Sequence, residues 1–277
     1  MAQPVVVLML TMMTFADLSL ENVLLRLPQE FNTLTPEQLF EIFGEPDREP
    51  VHRLDGQPLG PEVPEEVVFP TWLGKASEQI TIPEVNVLVS DFDEAFIPLI
   101  SRRAHSNAAI ASQPPEAQFT TTEEPLSYPA DIWSLGCLIW SIVGERPLFE
   151  SWIASRDELL DEQVNLLGKL PPEWWERWEA RGLYWTEDGD GIRLEPTTHP
   201  NNTLRQDWRA KLEWCIQVGR RQWGMELMSH EEMVDFLDLM KAMITLRPAD
   251  RPSAQQVWSS RWIQNWCLPP PTSDNNE

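Results

Sequence analysis

The sequence predicts a mainly α-helical domain with a few short strands near its N-terminus, and three observations carry that prediction. From Pro129 to Val143 (PADIWSLGCLIWSIV) apolar residues fall on every face of a helical wheel. That is the pattern of a helix buried at the centre of a large domain, and Gly144 stands after it as a stop. Helix-start signatures recur on both sides of this segment. Strand-like runs, in contrast, are short and lie in the N-terminal third: Val23-Leu24-Leu25 and residues 85–92 (VNVLVSDF).

Taken in order, residues 1–25 read as an apolar segment, a loop and a short strand. The apolar run from Val5 to Phe15 is too short to cross a bilayer as a helix, and no Lys or Arg precedes it as a signal peptide would require. Residues 26–82 form a proline-rich, acidic insert with one clear helix. There Thr35 is a good N-cap, Pro36 takes the first helical position, Gln38 completes a capping box and Gly44 ends the helix. Residues 85–92 run as a strand into a turn, and 93–126 are mostly loop.

Residues 150–228 are Trp-rich and irregular. Pro172 begins a short helix that carries Trp174, Trp175 and Trp178. Such an aromatic face could stack on bases, but in so acidic a chain core packing is the expected role. Ser229 with Glu232, and Ser253 with Gln256, make capping boxes before apolar faces at Met233–Met240 and Val257–Trp262. The stretch 267–277 is expected to be a disordered tail.

The chain has 277 residues and a net charge of -23. A field of that sign disfavours nucleic acid and anionic membrane as partners and favours basic ones. Three scattered cysteines argue against a disulfide framework and suit a reducing compartment, so the expected location is cytoplasmic, nuclear or both. Four scattered histidines give no zinc spacing.

The candidate chemistry lies in Phe15-Ala16-Asp17-Leu18-Ser19-Leu20-Glu21-Asn22 and in Ser90-Asp91-Phe92-Asp93. Either alone is weak, since loops are rich in Asp and Asn. In order with Pro114-Pro115-Glu116, Asp131-Ile132-Trp133-Ser134-Leu135-Gly136 and Arg247-Pro248-Ala249-Asp250-Arg251-Pro252 they resemble the motif series of the eukaryotic protein kinases. The catalytic loop (HRDLxxxN) appears as FADLSLEN, the metal-binding turn (DFG) as DFD and the APE motif as PPE. The resemblance spans about residues 10–266. It implies a kinase-like large C-terminal lobe over 1–266, interrupted by the insert at 26–82 and the Trp-rich region at 150–228. Asp-Phe-x-Glu-Ala-Phe at 91–96, Leu-Pro-Pro-Glu-Trp-Trp at 170–175 and the insert after Asn22 further resemble fungal kinases related to the SR-protein kinases, which act on serines in Arg/Ser-rich segments.

The resemblance implies roles residue by residue. Asp17 would accept the proton of the substrate hydroxyl. Asn22 and Asp91 would hold magnesium with the hard oxygens it prefers, and Leu24 would form an apolar floor under the adenine of ATP. Glu116 and Arg251 would form a structural ion pair, and Asp131 would cap the catalytic loop from behind. The implied activity is phosphoryl transfer from Mg-ATP to protein serine or threonine, with a basic Arg/Ser-rich protein as substrate.

The departures from the family pattern carry expectations of their own. Phe15 replaces the motif histidine, and Ala16 replaces the arginine that reads a phosphorylated activation loop. Ser19 stands where a lysine usually faces the transferring phosphate, a loss expected to slow chemistry on the order of 10²-fold or more. Asp93 replaces the turn glycine, where left-handed strain is expected. Before Asp17 there is no G-x-G-x-x-G loop, strand lysine or partner glutamate, and the insert has none. The stretch therefore reads as a lobe without the ATP-clamping N-terminal lobe: a truncated kinase or, as the alternative, a non-catalytic pseudokinase-type binding or scaffold module.

Overall fold

The computed structural model describes residues 13–75, 79–121, 123–149, 155–189 and 207–268. Most of the Val5–Phe15 run and of the expected tail lie outside them, as do parts of the Trp-rich region. The chain divides into two compact units, one of Met1–Leu24 with Val89–Glu277 and one of Leu25–Leu88. The architecture is mainly helical with short strands, as the sequence predicts. No helix among the described residues is long and apolar enough to cross a membrane.

Strand β1 (Val23–Leu25) follows the Phe15–Asn22 segment. The second unit then holds helix α1 (Pro36–Phe43), whose Thr35–Gln38 capping box is formed in both directions and whose C-cap is Gly44 at φ 83°. It also holds an antiparallel hairpin, β2 (Arg48–Pro50) with β3 (Glu66–Val68), where the sequence pattern marks only the helix. Strand β4 (Val87–Val89) leads back into the first unit.

Helix α2 (Tyr128–Val143) is the centre of the large unit. Every residue from Ala130 to Leu138 is buried, as is Trp140. It packs on α8 (His230–Met243), and Gly136 makes the approach possible: a Cβ there would stand 2.8 Å from Ile244 Cδ1. Trp140, Phe236 and Trp262 form a chain of ring contacts at 5.7 and 5.0 Å, and Trp133 stacks on Phe149 at 5.6 Å.

A helix the sequence reading overlooked, α3 (Arg156–Leu167), starts from a reciprocal Ser155–Glu158 capping box. With α4 (Pro172–Trp175) and α5 (Arg181–Tyr184) it forms a second apolar cluster. Trp174, Trp175 and Trp178 are all buried there. They are core side chains and present no face to bases. Trp178 donates its indole N–H to Asp157 at 2.8 Å, and Trp185 donates to Asp161 at 2.9 Å.

Residues 208–222 form one further helix, α6 (Trp208–Leu212) and α7 (Val218–Gln222) joined by a π-helical turn at Glu213–Gln217. Of the two C-terminal capping boxes, only that of α9 (Ala254–Trp258) closes both ways. At α8 the Ser229 hydroxyl accepts from the Glu232 N–H at 3.1 Å, and no return bond forms. Cys137 and Cys215 are buried, Cys267 is exposed, and none is disulfide-bonded.

Candidate active site

The segment before Asp17 is fixed by its backbone. Thr14 and Phe96 form an antiparallel bridge, Thr14 N–H to Phe96 O at 2.8 Å and Phe96 N–H to Thr14 O at 2.9 Å. The bridge joins the stretch leading into the Phe15–Asn22 segment to the stretch leaving the Asp91 turn. A single pair of this kind leaves no periodicity to read in the sequence. At the other end of the loop, Ser90 donates its N–H to Asn22 O at 2.9 Å and its hydroxyl to the same oxygen at 3.3 Å. Two stretches nearly seventy positions apart are thereby held side by side, and Asp17, Asn22 and Asp91 come to one place.

The loop turns through a strained residue. Ala16 sits at φ 64°, a left-handed conformation that costs a non-glycine residue about 1–2 kcal/mol. Asp131, reaching up from the first turn of α2, holds it there. Its carboxylate accepts the Phe15 N–H at 2.8 Å and the Ala16 N–H at 3.1 Å. Burial pushes the Asp131 carboxyl up to about 7, against the pull of these two donors. The Phe15 ring is buried and meets Phe92 at 5.2 Å.

The strain expected at Asp93 falls elsewhere. Asp91 is the residue at positive φ (61°), and Asp93 is not among such residues. Aspartate tolerates this region because its short polar side chain can bond locally. The turn closes with Ala95 N–H to Phe92 O at 2.9 Å, and Glu94 pairs with Arg103 behind it.

Asp17 is half-buried, and its carboxyl lies above the ordinary aspartate value. Burial is the main cause, followed by the negative charges of Asp91, Glu21 and Glu94, while a hydrogen bond from the Asn22 side chain pulls it back. Among the described residues, the charges raising it are all carboxylates. Ser19, two residues on, is buried and brings no cation. The Asn22 amide nitrogen also donates to the Asp17 backbone carbonyl at 3.1 Å, which leaves its Oδ1 as a ready acceptor. Leu24 on β1 is about half exposed.

This donor set suits magnesium. Among the described residues no group of three or more His, Cys, Asp or Glu side chains gathers as a metal cage. Magnesium, however, is commonly held by one or two protein oxygens completed by phosphate and water. A cation would relieve the unbalanced carboxylates around Asp17.

Away from this loop, Glu116 and Arg251 form a buried bidentate pair, Nη1 to Oε1 at 2.6 Å and Nη2 to Oε2 at 2.7 Å. Arg251 gives its remaining three N–H groups to Thr245 O, Pro129 O and Leu246 O at 2.9, 2.9 and 3.1 Å. Its guanidinium lies 5.0 Å from the Trp133 ring centre. Two clefts of the large unit include no residue of the Asp17 loop, one along α8 and one between the end of α3 and the stretch after α8. One is lined by Arg209, Met233 and Lys241, the other by Lys169, Trp208 and Arg247.

Comparison with curated proteins finds no match. A family model described as protein kinase domain matches residues 100–263, more than half of the chain. The matched span holds Glu116, Asp131 and Arg251, and the Asp17–Asn22 loop and Asp91 precede it. With a central buried α2, an arginine saturated against the Pro-Pro-Glu segment and a matching span of this length, the chain belongs to the protein kinase domain family.

Proposed function

We propose that this chain carries the catalytic-loop half of a serine/threonine protein kinase of the SR-protein-kinase type. It would transfer phosphoryl from Mg-ATP to a serine of a basic, Arg/Ser-rich protein. The observation that supports this reading most is the convergence of Asp17, Asn22 and Asp91, held by the Thr14–Phe96 bridge, the Asn22–Ser90 bonds and the Asp131 brace.

Phosphoryl transfer is helped mainly by positioning and charge stabilisation. Asp17, with its carboxyl raised above the ordinary aspartate value by burial and neighbouring carboxylates, suits orienting the attacking hydroxyl and taking its proton. Asn22 and Asp91 would hold magnesium, which when bound neutralises phosphate charge. Leu24 would lie under the adenine. Glu116, Arg251 and Asp131 hold shape and touch no reacting atom. Ser19 brings no cation to the transferring phosphate. Transfer is therefore expected to be slow.

A second reading, a non-catalytic binding or scaffold module, draws support from one observation: Asp91, Glu21 and Glu94 act on Asp17 with negative charge, and Ser19 supplies no cation to balance them. Thermal denaturation with and without Mg-ATP, beside transfer of labelled phosphate to an Arg/Ser peptide, separates the two. The enzyme reading expects slow serine labelling that Asp17→Asn abolishes, and a small Mg-ATP stabilisation that Asp91→Ala abolishes. Absence of both, with the Arg/Ser peptide still bound, would establish the binding module. Labelling on tyrosine, or labelling indifferent to Asp17→Asn, would overturn the assignment.

A further inference from the structure

The second unit is a fold without a core. Among its residues of described burial, 25–75, 79–81 and 83–88, none is buried, and Phe40, Ile42, Val67, Val68, Phe69 and Trp72 are all exposed. A two-stranded hairpin in water is marginal unless something covers it.

The register of that hairpin sorts its side chains. Glu49 faces Val67, Arg48 faces Val68 and Pro50 faces Glu66. The bonds Val51 N–H to Glu65 O (2.8 Å) and Phe69 N–H to Asp47 O (2.9 Å) extend the ladder by one residue at each end. Residues directly opposed share a face, and successive residues alternate. One face therefore carries Val51, Val67 and Phe69 interleaved with Asp47, Glu49 and Glu65, and no cation. The other carries Arg48, Pro50, Glu66 and Val68, with Arg48 paired to Glu66 at 3.5 Å. The three carboxylates of the first face have no ion-pair partner among the described residues. Apolar side chains at half exposure between unpaired like charges are disfavoured on their own. The arrangement is complementary to a chain of opposite charge that also brings apolar groups.

We propose that this face binds an extended basic segment of a partner protein. Its Arg or Lys residues would lie against Asp47, Glu49 and Glu65, and its apolar residues against Val67 and Phe69. In an extended segment every second residue faces the hairpin, so the matching pattern is basic and apolar residues alternating at every second position. The proposal is independent of the activity proposed above.

The test uses the full chain and a fluorescent peptide of Arg-Ser-Val-Ser repeats, read by anisotropy. Because the whole chain is acidic, the decisive comparison is between charge reversals of equal size at different places. Glu49→Lys with Glu65→Lys should weaken binding by about tenfold or more, while Glu123→Lys with Glu179→Lys, exposed positions of the large unit, should change it by less than twofold. Val67→Ser with Phe69→Ser should weaken the Arg-Ser-Val-Ser peptide, and an Arg-Ser peptide of equal charge should bind less tightly. In the unmodified chain, bound peptide should slow amide exchange at 47–51 and 65–69. Equal loss from both charge reversals, indifference to the Val67 and Phe69 changes, or protection confined to the large unit would each overturn the proposal.

Discussion

Removing the Glu116 carboxylate should unfold the large unit more readily than the loss of any surface ion pair. The Arg251 side chain is wholly inaccessible to solvent. Its five N–H groups have five acceptors, two on Glu116 and three on backbone carbonyls. In Glu116→Ala the three carbonyls remain, but the guanidinium is left buried without its counter-charge and with two unmet donors. Breaking one side of such a buried pair costs about 3–5 kcal/mol, a shift of roughly 10 °C in a unit of this size. Arg251→Lys keeps the charge but cannot fork, and the loss of charge-assisted bonds should cost about 2–3 kcal/mol. The assay is urea denaturation by tryptophan fluorescence at low and high salt. Glu173→Ala, which breaks the solvent-exposed Arg247–Glu173 pair, serves as control and should barely move the midpoint. Screening reaches exposed pairs far more than buried ones, so the Glu116 effect should persist in salt. A Glu116→Ala midpoint indistinguishable from the Glu173→Ala midpoint would refute the reasoning.

Three further outcomes are expected. Asp131 has a folded value of about 7 against 3.8 in a free chain, and a carboxyl raised in this way contributes stability that is full below the free-chain value and lost as pH rises through the folded one. The stability advantage of the native protein over Asp131→Asn should therefore shrink between about pH 4 and about pH 8; an advantage that grows over that range contradicts the placement. Ala16→Gly should leave stability unchanged or raise it by up to about 1 kcal/mol, because relief of the left-handed conformation outweighs the entropy of glycine, and a clear loss in thermal denaturation would argue against the strain. Asp91→Asn removes a negative charge that raises Asp17, so the Asp17 carboxyl should titrate lower when followed by carbon NMR, and an unchanged or higher value would show that the two do not meet.

Much of the helical frame was legible because it is written in short-range chemistry. Thr35, Pro36, Gln38 and Gly44 mark both ends of α1 without any tertiary information, and the uninterrupted apolar character of 129–143 requires burial. Helix α3 was hidden by its own interior: Asp161, Gln163 and Asn165 are buried, so polar residues stand where a periodic reading expects apolar ones. The Ser155–Glu158 box could have found it. The β2–β3 hairpin shows no apolar alternation in sequence, since none of its residues is buried, and Pro50 is a residue strands usually avoid. At the site, motif order alone singled out Asp17, Asn22, Asp91 and Asp131. The Thr14–Phe96 bridge and the left-handed Asp91 were not legible, since both depend on where a distant backbone passes.

The Arg251 network also sets an order of events during synthesis. Glu116 and Arg251 are 135 positions apart, and chains emerge from the ribosome N-terminus first. Until Arg251 is made, the Pro114–Gln118 segment and the start of α2 have no guanidinium to join. The Asp131 brace, rooted in that first turn, can act early, but the seal across the Pro-Pro-Glu segment waits for Arg251. A nascent chain stalled before Arg251 would hold an acid without its base in the nascent core, and should be cut by protease at the 114–118 segment until translation passes that codon.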